Sequence, residues 1–259
     1  MARGGRWWAF AGAALGAFVA LVVFAPAAWL ADAVAAATGD RLLLADARGS
    51  VWSGSAVPVL TGGADSRDAS ALPGRLQWEL GLDGLAVGVR ARQDCCIDGE
   101  LRLRVEPGFG RIAIRLPASK GVIGRWPAAW LGGLGTPFNT LQLGGTTSLA
   151  SGGLVAESAA GRWHIEGDAV LTIDGLSSRV STLDTLGSYR IRVTGGDVAQ
   201  IALETVDGAL RLAGSGQWAA SGLRFRGEAR AAPGFEATLN NLLNLIGRRQ
   251  GTMAVLSIG

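Results

Sequence analysis

Beyond Thr38, apolar side chains recur at every second position in short runs, a spacing that suits a half-buried strand and no helix. Leu76, Trp78, Leu80 and Leu82 share one face, Asp83-Gly84 supplies a hairpin-type turn, and Leu85, Val87 and Val89 resume the pattern. Leu101, Leu103 and Val105 follow, then Ile112, Ile114 and Leu116. Later come Trp163 with Ile165, Ile191 with Val193, Ile201 with Leu203, Leu210 with Leu212, and Leu223 with Phe225. Arginines fill many of the interleaved positions, among them Arg102, Arg104, Arg190, Arg192, Arg224 and Arg226. One apolar face and one charged face describe antiparallel strands. A parallel sheet would need helical crossovers, and the gaps between these runs are too short for them.

Forty glycines among 259 residues fit the same picture, because they fall irregularly between the runs rather than at every third position. Pairs at 83–84, 174–175, 195–196 and 207–208 predict turns. With 49% hydrophobic and 17% charged residues the chain has ample material for a core, and charge-driven disorder is excluded. Helices are predicted at 122–131, where Pro127 keeps the element short, at 176–186, and at 233–246. In the last, Leu239, Leu242, Leu243 and Ile246 recur with helical spacing between Pro233 and Gly247. A final strand is expected over 253–258, and residues 62–70 read as a loop. No linker divides the chain.

From residue 7 to residue 31 no side chain is charged. About 20 apolar residues suffice to span a bilayer core, so a transmembrane signal-anchor helix is predicted over 7–30. Trp7, Trp8 and Trp29 stand at its ends, where indole rings favour headgroups, and Phe18, Val22 and Phe24 stand within it. Arg3 and Arg6 precede it, which orients residues 1–6 to the cytoplasm and exports residues 31–259. A cleaved signal peptide is the rival, since Ala25-Pro26-Ala27 offers a small-x-small site. The apolar run, however, exceeds the usual signal core, and proline disfavours cleavage. The net charge of +3 does not mark a nucleic-acid partner: without Arg3 and Arg6 the 24 basic residues fall to 22, against 21 acidic ones.

No catalytic set is legible. His164 is the only histidine, in a strand pattern, and no G-x-S-x-G elbow accompanies it. One histidine and two adjacent cysteines do not make a conventional zinc site. Gly132-Gly133-Leu134-Gly135 lacks the phosphate-loop lysine and reads as a turn. No catalytic, metal-binding or cofactor-binding residue is therefore assigned, and no cofactor is expected. Cys95 and Cys96 fall at a hairpin tip, where three states stand open: a vicinal disulfide, a covalent link to a partner, or two thiols. The arginine face is a solvated surface or a contact for an acidic partner or phospholipid headgroups.

Four segments carry a family resemblance: RGSVWSGSA at 48–56, LQWEL at 76–80, DTLGSYRIRV at 184–193, and the run from Asp207 to Gly251 containing LRLAGSGQW and LLNLIG. In this order and spacing they resemble the type II secretion system protein N family (general secretion pathway protein N). The resemblance covers essentially the whole chain. It implies a bitopic inner-membrane component, not an enzyme, whose periplasmic β domain serves the apparatus that exports folded proteins across the outer membrane. Its implied partners are other secretion subunits, of the inner-membrane platform, the secretin, or both. Trp52 and Trp218, each between glycines, are read either as core packing or as partner contacts. The C-terminal half is also similar to AsmA-like proteins, which implies a curved, half-barrel-like antiparallel sheet with a few short helices. The alternative function is then lipid binding or lipid transfer.

Overall fold

A computed structural model describes the backbone of residues 4–159, 162–219 and 222–258, and the side chains of these except 4–9, 219, 222 and 258. Helices α1 (Gly4–Val23) and α2 (Ala27–Thr38) precede β1 (Leu42–Gly49), β2 (Ser53–Thr61), β3 (Ala69–Ala71), β4 (Leu76–Asp83), β5 (Ala86–Arg92), β6 (Leu101–Gly108), β7 (Arg111–Leu116) and β8 (Gly124–Pro127). A 3-10 helix (Ala128–Leu134) and α3 (Phe138–Leu141) lead into β9 (Leu143–Ala159) and β10 (Arg162–Ser178). Then come β11 (Gly187–Gly196), β12 (Ala199–Gly208), β13 (Leu210–Ala219), β14 (Gly222–Ala231), α4 (Glu236–Ile246), β15 (Arg248–Gln250) and β16 (Met253–Ile258).

The sixteen described strands form one antiparallel sheet, open at β1 and at β15. Its order follows the chain except at three places. β2 pairs β4 through 53–56 and β3 through 59–61. β9, seventeen residues long, is long enough to pair β8 through 146–149 and β7 through 154–159. β16 lies between β14 and β15. The strand runs read from alternation are all present, and Gly84 turns the β4–β5 hairpin at φ 64°. Asp174-Gly175 is different: it is a bulge inside β10, where the register to β9 shifts between Asp174 and Ser177.

Helices cover only parts of the sheet. Leu239, Leu242 and Leu243 of α4 are buried against Leu186, Leu210, Ala229 and Ala254, each side chain contributing roughly 1.5–3 kcal/mol. The 3-10 helix seats Ala128 on Leu176 and Tyr189. It lies so close to β2 that a Cβ on Gly133 would stand 2.1 Å from the Leu60 carbonyl oxygen. Residues 124–127 pair with β9 as a strand, so the helix expected over 122–131 is instead a 3-10 helix over Ala128–Leu134, which takes in Gly132 and Gly133 of the expected turn. The helix expected over 176–186 is absent: β10 continues to Ser178, and turns lead to β11. Leu176 and Leu186 instead clasp each other through the Leu186 N–H, 2.7 Å from the Leu176 carbonyl.

The single span expected over residues 7–30 is two helices. Pro26 cannot donate to a continuing helix; α1 ends at Val23 and α2 starts at Ala27, packed on Ala56 and Trp78. Among the described residues no helix is long and apolar enough to cross a membrane, which says nothing of spans made by strands. The described side chains of α1, from Phe10 onward, are exposed, and Phe24 beyond it is 79% exposed. Arg3 and the side chains of Arg6, Trp7 and Trp8 lie outside the described residues.

Candidate functional site

Two of the segments singled out in the sequence meet in register at the N-terminal end of the sheet. Ser53 lies opposite Glu79, Gly54 opposite Trp78, Ser55 opposite Gln77, and Ala56 opposite Leu76. The pairing explains the composition of both. A Cβ on Gly54 would stand 2.5 Å from Cζ2 of Trp78 and 2.7 Å from the Arg48 carbonyl oxygen, so only glycine admits the indole. Trp78 is 4% exposed and donates from Nε1 to the Val51 carbonyl at 3.0 Å. Beside it Trp52 is half-buried and donates from Nε1 to the Val22 carbonyl at 2.8 Å. Val51 N–H reaches the Ala25 carbonyl at 2.8 Å, and Pro26 bridges to Ser50. The W-x-G segment thus ties the end of α1 and the start of α2 to the sheet.

On the polar side of these strands opens a groove of about 380 Å³, lined among others by Arg48, Arg75, Arg90, Arg92, Glu79 and Glu100. Its charges are locked in pairs. Arg75 donates to the Asp46 carboxylate at 2.7 Å, to its carbonyl at 2.6 Å and to the Ser55 carbonyl at 3.0 Å. Arg48 reaches the same carboxylate at 2.8 Å. Asp46 has φ 51° at the bulge in β1, a left-handed conformation that a short polar side chain tolerates. Arg90 pairs with Glu79 at 3.0 Å, Arg102 with Glu100 at 2.7 Å, and Arg92 with Glu100 as well.

Hydrogen bonds from Arg75 and then Arg48 hold the Asp46 carboxyl below its usual range; Arg102 and then Arg92 do the same for Glu100. Both stay ionised at physiological pH and are poor proton donors. The groove is suited to ionic recognition, with the exposed edge of Arg48 free to bond further acceptors.

The other sequence candidates lie elsewhere. Trp218 sits at the β13–β14 tip, 40% exposed, and Trp29 is 49% exposed on α2. Phe18, Val22 and Phe24 are exposed. Cys95 and Cys96 are joined to each other in a vicinal disulfide between β5 and β6, Cys95 exposed and Cys96 buried. His164 is an exposed strand residue whose Nε2 lies 3.4 Å from the Glu166 carboxylate. Among the described residues no group of three or more His, Cys, Asp or Glu is placed to hold a metal. Sequence reasoning missed the ion-pair lattice around Asp46 and Glu100; the alternation of Arg with Glu on β4, β5 and β6 was the available signal, but the register was needed to read it.

Fold and site define a mainly β protein: one open antiparallel sheet, flanked by helices, with an exposed apolar helix pinned to its first turn. Over residues 40–255 the chain matches the family model of type II secretion system (T2SS) protein N, and it belongs to that family. Membership ties it to type II secretion and to the other components of that system. No curated protein and no solved structure matches it.

Proposed function

We propose that the chain is a non-enzymatic, membrane-anchored component of the type II secretion apparatus. In this reading α1 sits in the inner membrane, residues 1–6 are cytoplasmic, and residues 31–259 stand in the periplasm. There the sheet supports assembly by contacting the inner-membrane platform, the secretin, or both. The observation that carries the reading is α1 itself: its described apolar side chains find no layer to cover them, yet its end is fixed to the sheet by Trp52. The charge-free run from residue 7 and the flanking Arg3 and Arg6 add support. A non-catalytic role is supported by carboxylates held ionised by arginines and a histidine paired only at the surface. The test is fractionation of the full chain with and without its gene's secretion partners. Retention in alkali-washed inner membrane, co-purification of secretion subunits and lost secretion on deletion are expected. An alkali-soluble chain, or unchanged secretion with no co-purifying subunit, would overturn the proposal.

A second reading, a lipid-binding or lipid-transfer module, is favoured by one observation. Val87, Val105, Ile114, Ala156 and Ile165 stand in one cross-strand row over β5, β6, β7, β9 and β10, all half-exposed. Such a row can take an acyl chain. Native mass spectrometry of the full chain should then show bound acyl species, and a consistently empty chain would remove this reading.

A further inference from the structure

The strands alternate in direction, so hairpins β4–β5, β6–β7, β9–β10, β11–β12 and β13–β14 all turn at the same end of the sheet. This end carries a row of exposed apolar side chains: Leu82 and Leu85, Phe109, Trp163, Val198 and Trp218. Leu85 is 95% exposed and Phe109 fully so, a placement that serves no packing within the chain. The opposite end differs in kind. Its turns carry exposed side chains of both charges, among them Asp65, Arg67, Asp94, Lys120, Arg179 and Asp184, with Val180 and Phe235 the apolar exceptions.

The apolar end is also where the N-terminal helices arrive. Trp52 and Ser50, in the β1–β2 turn, face this end and hold Val22 and Pro26. Neighbouring strands are about 4.8 Å apart, so the seven steps from β5 to β13 spread the tips along roughly 35 Å. Exposed Arg162 lies beside Trp163, and exposed Arg224 lies across from Gln217, next to Trp218. Aromatic rings and guanidinium groups at the same strand ends, on opposite faces of the sheet, suit the boundary between acyl chains and anionic headgroups. Asp83, an acidic group beside Leu82, is paired to Arg104 at 2.7 Å, and exposed Asp197 beside Val198 is an acidic exception at this end.

We propose that this end of the sheet is a lipid-binding edge: the hairpin tips dip into the surface of the same bilayer that holds α1, so that the sheet stands on the membrane on a row of apolar feet. The inference rests on the anchored reading of α1, which fixes the bilayer next to the tips, and it goes beyond that reading by assigning a second contact. It differs from acyl-chain binding on the sheet face, because the residues lie at the turns and not in the half-exposed row between them.

The full chain, reconstituted in vesicles of phosphatidylethanolamine and phosphatidylglycerol, tests it. Leu85→Cys, Phe109→Cys, Phe18→Cys and Ser66→Cys each take an environment-sensitive fluorophore; Cys95 and Cys96, bonded to each other, do not react. Circular dichroism confirms that each variant folds. With nitroxide-bearing lipid, emission should be quenched at positions 18, 85 and 109 and unaffected at 66. Quenching at 18 with none at 85 and 109 overturns the lipid-binding edge and leaves the anchor standing. Quenching at 85 and 109 without 18 supports the edge and removes the anchor. No quenching anywhere removes both. Equal quenching at 66 overturns the polarity between the two ends on which the inference stands.

Discussion

The indole N–H of Trp52 donates to the main-chain carbonyl of Val22 at 2.8 Å, so a side chain from the first turn of the sheet closes the C-terminal end of the apolar helix. Trp52→Phe keeps the ring and removes this donor. A local loss of about 0.5–1.5 kcal/mol is expected, confined to the junction. Faster amide exchange at Val51, whose N–H bonds the Ala25 carbonyl, is the readout. Unchanged exchange at Val51 would mean that Trp52 does not hold the helix.

Gly54 faces the Trp78 indole with no room for a side chain, since a Cβ there would stand 2.5 Å from Cζ2. Gly54→Ala forces a methyl group against the indole and the Arg48 carbonyl, at a cost of about 1–3 kcal/mol. Trp78→Ala opens a cavity instead and should cost about 3–5 kcal/mol. Combined, the two changes should be less than additive, because the alanine methyl then enters space the indole has left. Urea midpoints of the three variants check this; strict additivity would show that the two residues do not touch.

Strand identity was legible where apolar and polar residues alternate, as in LQWEL and LRLRV, because one face is covered and the other wet. β9 was not legible, although it is among the longest strands: LGGTTSLASGGLVAESA has small and polar residues on both faces and no period to read. Position 176–186 misled because its leucines recur with helical spacing while each packs from a different strand or turn. The groove and the apolar tips were invisible for a different reason. Asp46 and Arg75 lie 29 residues apart, and the tips are scattered over more than a hundred positions; only register and strand direction bring them together.

The ion-pair lattice makes an acid limb in stability. Asp46 and Glu100 have folded-state pKa values below their ordinary 3.8 and 4.5, so their contribution is complete above those values. It is lost as pH falls below them toward the folded-state pKa. The melting temperature should therefore drop on acidification below the ordinary carboxylate range, and Asp46→Asn with Glu100→Gln should flatten that limb. An equally steep acid limb in the double variant would assign it to other carboxylates.

The Cys95–Cys96 bond closes only an eight-membered ring and no longer stretch of chain, since the residues are adjacent. Disulfide stabilisation grows with the length of chain it closes. Reduction with dithiothreitol should add two hydrogens to the intact mass and shift stability by much less than the roughly 2–4 kcal/mol of an ordinary long-range bridge. A large loss of stability on reduction would show that the eight-membered ring itself positions the neighbouring turn, in which Arg125 N–H bonds the Cys96 carbonyl at 2.8 Å.

Tyr189 is the only tyrosine, so its ionisation can be read directly. Its side chain is fully buried under the 3-10 helix, and its hydroxyl donates to the Leu210 carbonyl at 2.9 Å. Burial, and then the negative charge of Asp207, push its pKa well above the ordinary 10.0. The folded state thus keeps the phenol neutral where the unfolded chain would ionise it. The resulting stability is complete below pH 10.0 and erodes as pH rises beyond it toward the folded-state value. Phenolate absorbance should accordingly appear together with unfolding and not before it. Tyr189→Phe leaves the Leu210 carbonyl without this partner and should cost about 1–3 kcal/mol at neutral pH, while removing this tyrosine's share of the alkaline limb. A phenolate signal titrating at its ordinary value in a chain that is still folded would show that Tyr189 is open to solvent, and the seating of the 3-10 helix on the sheet would fall with it.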